Sequence, residues 1–376
     1  MSTNNLQQIS AAVLSGVQLS YNQLSKDVPL FSLQELFNFE GFNLNNYCKT
    51  FKPHPHIQSL LKEAQEFGRQ YGIWLDSAAH YISCATFLYP NAGIERMRAI
   101  VQNLAIDYYL NDTMGRDIFA HLSPAAQEAA TQMKKRMYQL REDLYIDEDN
   151  ATPVEQANAT VLEYIRGTAP MSWFSGFLRL YAYHIYVAHK DCNMNAAGRL
   201  ARVDEYIDSR CHLSGMHHVV KFIEYSEGRF LDWEWLAANG IGEQLERLHF
   251  ITAAIGGLMN DLFSFEKEVI RNNADSNLVM VILCNQPGLT LEQGIRRAAD
   301  IVRNQLIAFL SLMDYVRTAV QQAAKEAPEQ AVIMQSHLQG LERCVQASWI
   351  WQVHTQRYKS EHSIFRETRA ALTYSR

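Results

Sequence analysis

The sequence predicts an all-α fold. Apolar residues recur at helical spacing wherever a pattern is clear, and alternating runs of β-branched residues between turn signals are scarce. Helix breakers fall between the periodic stretches rather than inside them. Of the 376 residues, 48% are hydrophobic and only 9 are proline, which excludes disordered and low-complexity classes and leaves material for a large core. No period of about 35–45 residues recurs, so a solenoid is excluded.

Pro53 and Pro55 precede the first predicted helix, 56–72; a second over 75–87 runs up to the turn at Pro90, Asn91 and Gly93, and a third over 93–112 follows it. Helices over 124–144 and 153–167 flank the acidic stretch Asp147 to Asn150, and Pro170 opens the next, 172–190. Shorter segments over 197–210, 215–226 and 231–237 are separated at Gly215 and Gly228, and Asn239-Gly240 ends the last. Helices over 243–271, 290–324 and 327–358 complete the chain, with Gln286-Pro287-Gly288 breaking the first from the second. No linker rich in Gly, Ser or Pro divides these segments. Residues 29–376 are therefore expected to form one domain, with 1–28 as an N-terminal extension.

A count of 34 Lys+Arg against 40 Asp+Glu gives a formal charge of −6. Nothing in that balance favours nucleic acid or an anionic membrane face, so an anionic ligand must be held locally. The six cysteines form no CxxC pair and read as reduced core thiols. The first residues lack the charged start and apolar run of an export signal, and the most apolar segment, 177–189, is broken by Arg179 and His184. The expectation is a cytoplasmic protein without membrane insertion.

Three clusters carry chemistry. In the predicted helix 243–271, Asn260, Ser264 and Glu268 are four residues apart, so an amide, a hydroxyl and a carboxylate stack along one face over two turns. Three oxygen ligands pointing one way suit a hard ion such as Mg²⁺, which typically takes one or two carboxylates and completes its shell with water and substrate phosphate. Upstream, Ala253, Ala254, Gly256 and Gly257 permit a close helix approach. At the end of helix 93–112, Asp107 and Asn111 share a face and Asp112 stands beside Asn111, a second oxygen cluster for a divalent cation. Near the C-terminal end of the last helix, Arg357-Tyr358 offers a planar multidentate cation and a phenolic donor, suited to phosphate oxygens.

Taken in order, these residues resemble the bacterial class I terpene synthases. Asn260-Asp261-x-x-Ser264-x-x-x-Glu268, with Lys267 before the Glu, is similar to that family's NSE motif, and Arg357-Tyr358, with Trp351 upstream, to its RY pair. His54-Pro55, Trp74 and Tyr89-Pro90 follow the family's usual order, and Asn277 to Val281 followed by Gly288 to Gln293 resembles its loop and next helix. Two departures stand out. Counted from Tyr89-Pro90, the aspartate-rich motif begins at Asn111-Asp112, with Asn in place of the first Asp and Gly115 and Arg116 where the third acid belongs. Asp112 is then the principal acid, with Asn111, Asp107 and Asp117 as further candidates; alternatively Asp107-Tyr108-x-x-Asn111 is a degenerate copy one turn earlier, led by Asp107. The diphosphate sensor is Arg210, ahead of Ser214-Gly215, at a slightly longer distance from Asn260 than the family shows.

The resemblance implies a single-domain helical bundle around a central cavity, three Mg²⁺ ions, and a linear isoprenyl diphosphate substrate; a chain longer than a minimal cyclase favours C15 or C20, farnesyl or geranylgeranyl diphosphate. The resemblance also allows a homodimer. Arg210, Lys267, Arg357 and Tyr358 would grip the diphosphate, and the Gly215 carbonyl would face the substrate. An apolar, closed cavity would protect the carbocation, with aromatic faces among Trp74, Tyr108, Trp173, Phe174, Phe177, Tyr181, Phe222 and Trp351. His217-His218 reads as surface or satisfied histidine, and Lys134-Lys135-Arg136 as a solvated turn of helix. The alternatives are a chain-elongating prenyl diphosphate synthase, which would carry a second aspartate-rich motif where Asn260, Ser264 and Glu268 stand, and a non-catalytic helical binding protein of the same fold, which the altered Asn111-Asp112 motif would suit.

Overall fold

The computed structural model describes residues 3–26, 30–115 and 118–370; Arg116 and the candidate Asp117 lie outside the described residues. Helices make up the architecture, and β structure among the described residues is confined to isolated bridges such as Phe31 to Phe365. The first helix is α1 (Thr3–Leu24), which periodicity did not locate and which packs against the later helices Met194–Ala197, Leu278–Asn285 and Leu291–Ala323. Short α2 (Leu33–Phe37) and α3 (Leu44–Tyr47) follow, capped by the side chains of Ser32 and Asn43. The next are α4 (Ile57–Gln70), α5 (Ala78–Ile82) and α6 (Cys84–Leu88); the predicted helix 75–87 is divided at Ser83.

The long α7 (Ile94–Met114) is followed by α8 (Pro124–Tyr138), α9 (Pro153–Gly167) and α10 (Met171–Ala188). Pro at the first turn starts α8 and α9, and a Thr152–Glu155 capping box closes the N-terminus of α9. After α11 (Met194–Ala197) come α12 (Val203–Leu213), α13 (Met216–Glu227) and α14 (Trp233–Ala238). Gly215, at φ +73°, supplies the left-handed residue that turns the chain between α12 and α13.

The core is organised around α15 (Gly242–Phe263), which packs against α12, α13, α17 (Leu291–Ala323) and α18 (Pro328–His354). Every residue from Ile251 to Met259 is buried. Gly257 lets α12 approach closely, since a Cβ there would stand 3.0 Å from Ser214 Oγ and 3.4 Å from Arg210 Cγ. The predicted helix 243–271 is not uniform: it is α-helical to Phe263, and one π-helical turn occupies Glu266–Arg271. α16 (Leu278–Asn285) is buried all round from Leu278 to Cys284, so it has no apolar stripe for periodicity to reveal. The predicted helix 327–358 ends at His354, and Gln356–Tyr358 forms a separate 3₁₀ turn capped by Thr355.

The basic turn of α8 is a correction. Lys134 is buried, not solvated: α8 packs on α10, and the Lys134 ammonium donates to the carbonyl of His189 and lies 4.3 Å from the Phe119 ring centroid. Arg136 makes a two-point ion pair with Glu155 at 2.7 and 2.8 Å. No disulfide joins any of the six cysteines. No helix among the described residues is long and apolar enough to cross a membrane.

Candidate active site

A cavity brings together Asp107 and Asn111 from α7, Arg210 from α12, Asn260 from α15, Lys267 and Glu268 from the π turn, and Arg357 and Tyr358 from the 3₁₀ turn. Asp112 and Ser264 stand behind this wall, bonded to residues that line it.

The stacking of Asn260, Ser264 and Glu268 survives the change from α to π. The Ser264 amide donates to the Asn260 carbonyl and the Glu268 amide to the Ser264 carbonyl, both at 2.8 Å, so each step remains one four-residue turn. The wider turn begins at Glu266. Asn277 Nδ2 donates to Glu268 Oε2 at 3.1 Å, fixing that carboxylate. The Asn260 amide bridges three segments. Its oxygen accepts from Arg210 at 3.0 Å, and its Nδ2 donates to Gln352 Oε1 at 2.8 Å and to the Tyr358 hydroxyl at 2.9 Å.

Arg210 is 4% exposed and is held by Asp261, which is fully buried, through an Nε–Oδ1 contact of 2.7 Å. The Tyr206 hydroxyl and the Leu278 amide both donate to the other oxygen of Asp261, at 2.7 and 2.9 Å. One carboxylate thus ties α12 and α15 to the N-terminus of α16, where negative charge is favoured.

Arg357 forms a fork-to-fork pair with Asp112, at 2.8 and 3.2 Å, and its guanidinium stands 5.3 Å from the ring centroids of both Tyr81 and Tyr108. Asn111 Nδ2 donates to Asp112 Oδ1 at 2.7 Å. Burial alone would raise the Asp112 carboxyl; the Arg357 hydrogen bonds and charge, with Lys267 nearby, outweigh it and hold the carboxyl down at about 2. Asp112 is therefore an anion, and it fixes the arginine that the sequence assigns to diphosphate.

Asp107 is placed differently. The Tyr81 hydroxyl donates to its Oδ2 at 2.6 Å, while His184 Nε2 and His189 Nε2 stand 2.7 and 3.3 Å from its Oδ1. Burial opposes charge on Asp107, but the two histidines overcome it and keep the carboxyl well below its ordinary value. The Gly215 carbonyl accepts the Val219 amide at 3.1 Å, and Ser214 and Met216 form the cavity wall on either side of it. His218 is neither a surface nor a satisfied histidine. It is 3% exposed, lines the cavity and leaves Nδ1 without a partner, and burial with His184 alongside pushes it down to about 3.

Of the eight candidate aromatics, Trp351 lines the cavity, donating from its indole to Ser83 at 3.0 Å. Trp173, Phe177, Tyr181 and Phe222 stack on one another instead, with neighbouring centroids 4.4–5.7 Å apart. Sequence reasoning missed Tyr81, Gln352, Asp261, His184 and His189 as parts of the site. Asp261 and Gln352 each adjoin a residue already singled out, but adjacency says nothing about which side chain is the anchor.

The model for "Terpene synthase family 2, C-terminal metal binding" matches residues 113–306. The chain belongs to this family. As a family 2 terpene synthase it is a class I terpene cyclase, a lyase acting on diphosphates. It is 25% identical over 317 residues to 10-epi-cubebol synthase of Sorangium cellulosum, covering 81% of this chain and 94% of that protein. It is 24% identical over 178 residues to sesquiterpene cyclase hepA of Aspergillus oryzae, covering 47% of this chain and 45% of the relative. The solved structure of germacradien-4-ol synthase from Streptomyces citricolor superposes with a TM-score of 0.67 at 16% identity, over 86% of this chain and all of that one, and shows the same helical fold. The family assignment implies a divalent metal and sets aside the non-catalytic and chain-elongating alternatives.

Proposed function

We propose that residues 29–376 form the catalytic domain of a Mg²⁺-dependent cyclase for a linear C15 or C20 isoprenyl diphosphate. The observation that carries this reading is the convergence of Arg210, Lys267, Arg357 and Tyr358 with Asn260 and Glu268 on one cavity, with Ser264 just behind them, and a further wall that includes Leu88, Leu104, Leu213 and Val219. The sesquiterpene cyclase among the relatives supports C15. The donors of Asn260, Ser264 and Glu268 are all oxygen, one per turn, and fit Mg²⁺; Asp112, with Asn111 beside it, is the acid of the second set. Bound there, Mg²⁺ would supply positive charge to the departing diphosphate.

The chain's own groups do the rest. Arg210, Lys267 and Arg357 donate to diphosphate oxygens, and the Tyr358 hydroxyl adds a neutral donor, so the C–O bond breaks with its electron pair leaving on oxygen. Asp261 and Asp112 hold Arg210 and Arg357 in place beforehand, which removes reorganisation from the step. The apolar wall excludes water from the allylic cation while a chain double bond closes on it, and the Trp351 face offers cation–π stabilisation.

Incubating the purified protein with C10, C15, C20 and C25 diphosphates, with and without Mg²⁺, and analysing the extract by mass spectrometry tests the reading. A Mg²⁺-dependent cyclic product from C15 or C20 is expected; no product from any substrate overturns it. Asp107→Ala and Asp112→Ala should separate in the same assay. Asp112→Ala is expected to lower turnover about 100-fold and, because it leaves the largely buried Arg357 guanidinium without its carboxylate, to lower Tm as well, while Asp107→Ala, which strips a buried histidine of its partner, should destabilise the fold by about 1–3 kcal/mol with a smaller loss of turnover. A loss of turnover in Asp107→Ala equal to that in Asp112→Ala would contradict that division.

A further inference from the structure

His184, on α10, and His189, just beyond its end, both direct Nε2 at one oxygen of Asp107, at 2.7 and 3.3 Å. His184 Nδ1 lies 2.8 Å from the carbonyl of His212, which can only accept, so Nδ1 carries the proton. A neutral His184 then turns its Nε2 lone pair on a carboxylate oxygen. Two acceptors so close require a proton or a metal ion between them. His189 distinguishes these. It is 1% exposed, its Nε2 has only the 3.3 Å approach to Asp107 and its Nδ1 has no hydrogen-bond partner, so a proton on His184 leaves this second buried ring unsatisfied.

We propose that Asp107, His184 and His189 bind one divalent first-row transition ion, such as Zn²⁺ or Co²⁺. The three ligand atoms lie within 4.8 Å of one another and all three residues are buried. Two imidazoles and one carboxylate suit such ions, whereas Mg²⁺ takes oxygen. The groups behind the ligands are those a metal site needs: the His212 carbonyl fixes the His184 tautomer, and the Tyr81 hydroxyl, 2.6 Å from Asp107 Oδ2, fixes the carboxylate. The ion would bind α7 to the end of α10 at the cavity wall, and it shares no ligand with Asn260, Ser264 and Glu268.

The test is equilibrium dialysis of the full chain against Co²⁺ or Zn²⁺ in excess Mg²⁺, followed by metal analysis, Tm measurement and, for Co²⁺, visible and paramagnetic NMR spectra. One retained ion per chain is expected, with a raised Tm and shifted imidazole N–H resonances, and both are lost in His189→Gln. Where that variant fails to fold, the imidazole signals of the wild-type Co²⁺ protein decide. No retained ion, or an ion that survives His189→Gln but is lost in Glu268→Gln, overturns the proposal; the former leaves a proton-bridged His184–Asp107 pair. No substrate enters the measurement, so its failure leaves the cyclase reading intact.

Discussion

Glu268→Gln is expected to lower turnover by about 10³-fold or more while the protein stays folded. The substitution keeps the shape of the side chain and an oxygen for the Asn277 amide, now 3.1 Å from Oε2, but removes the one carboxylate in the row Asn260, Ser264, Glu268. Loss of a single neutral donor to a developing anion costs about 10²–10³ in rate, and loss of a ligand charge should cost no less. Asn260→Ala should reach a similar loss by another route. It removes the acceptor of Arg210 and the donor to Gln352 and Tyr358, so two of the groups assigned to diphosphate lose their common bridge. Steady-state turnover with circular dichroism on both variants is the measurement. Near wild-type turnover in Glu268→Gln would remove Glu268 from the metal set.

The Asn260 row was legible because it lies within one helix, where a four-residue period fixes which side chains share a face. The π turn could have broken that inference; it did not, because backbone bonds from Ser264 and Glu268 keep the four-residue step and the widening starts between them. Arg357-Tyr358 was legible as a pair, although it sits on a 3₁₀ turn beyond the helix predicted to hold it. What the sequence withheld lies between segments. His184 looked like a polar interruption of an apolar run, and only the folded arrangement brings it, on α10, against Asp107 of α7, 77 positions earlier. The packing of α8 on α10 buries Lys134, whose neighbours Lys135 and Arg136 made a solvated turn the natural reading. α16 escaped periodicity because it is buried on every side, and α1 because its buried contacts, among them Leu6, Val17 and Tyr21, are widely spaced.

Asp261→Ala is expected to destabilise the protein by about 3–5 kcal/mol, more than any other single change considered. Asp261 is fully buried, and three groups donate to it: Arg210 Nε, the Tyr206 hydroxyl and the Leu278 amide. Tyr206 can fall back on the Ser276 carbonyl, 3.1 Å away. Arg210 keeps its bond to the neutral oxygen of Asn260, and taking this carboxylate from a buried guanidinium is the costly term. Chemical denaturation should show the loss, and a change below about 1 kcal/mol would mean that the pair contributes little. Removing both charges separates folding from catalysis. Arg210→Met with Asp261→Leu should recover much of the stability lost in Asp261→Ala, because a buried pair is often replaced by apolar groups at little cost. It should recover no turnover, because the guanidinium assigned to the departing diphosphate is gone. A double variant that regains both would show that Arg210 serves the fold alone.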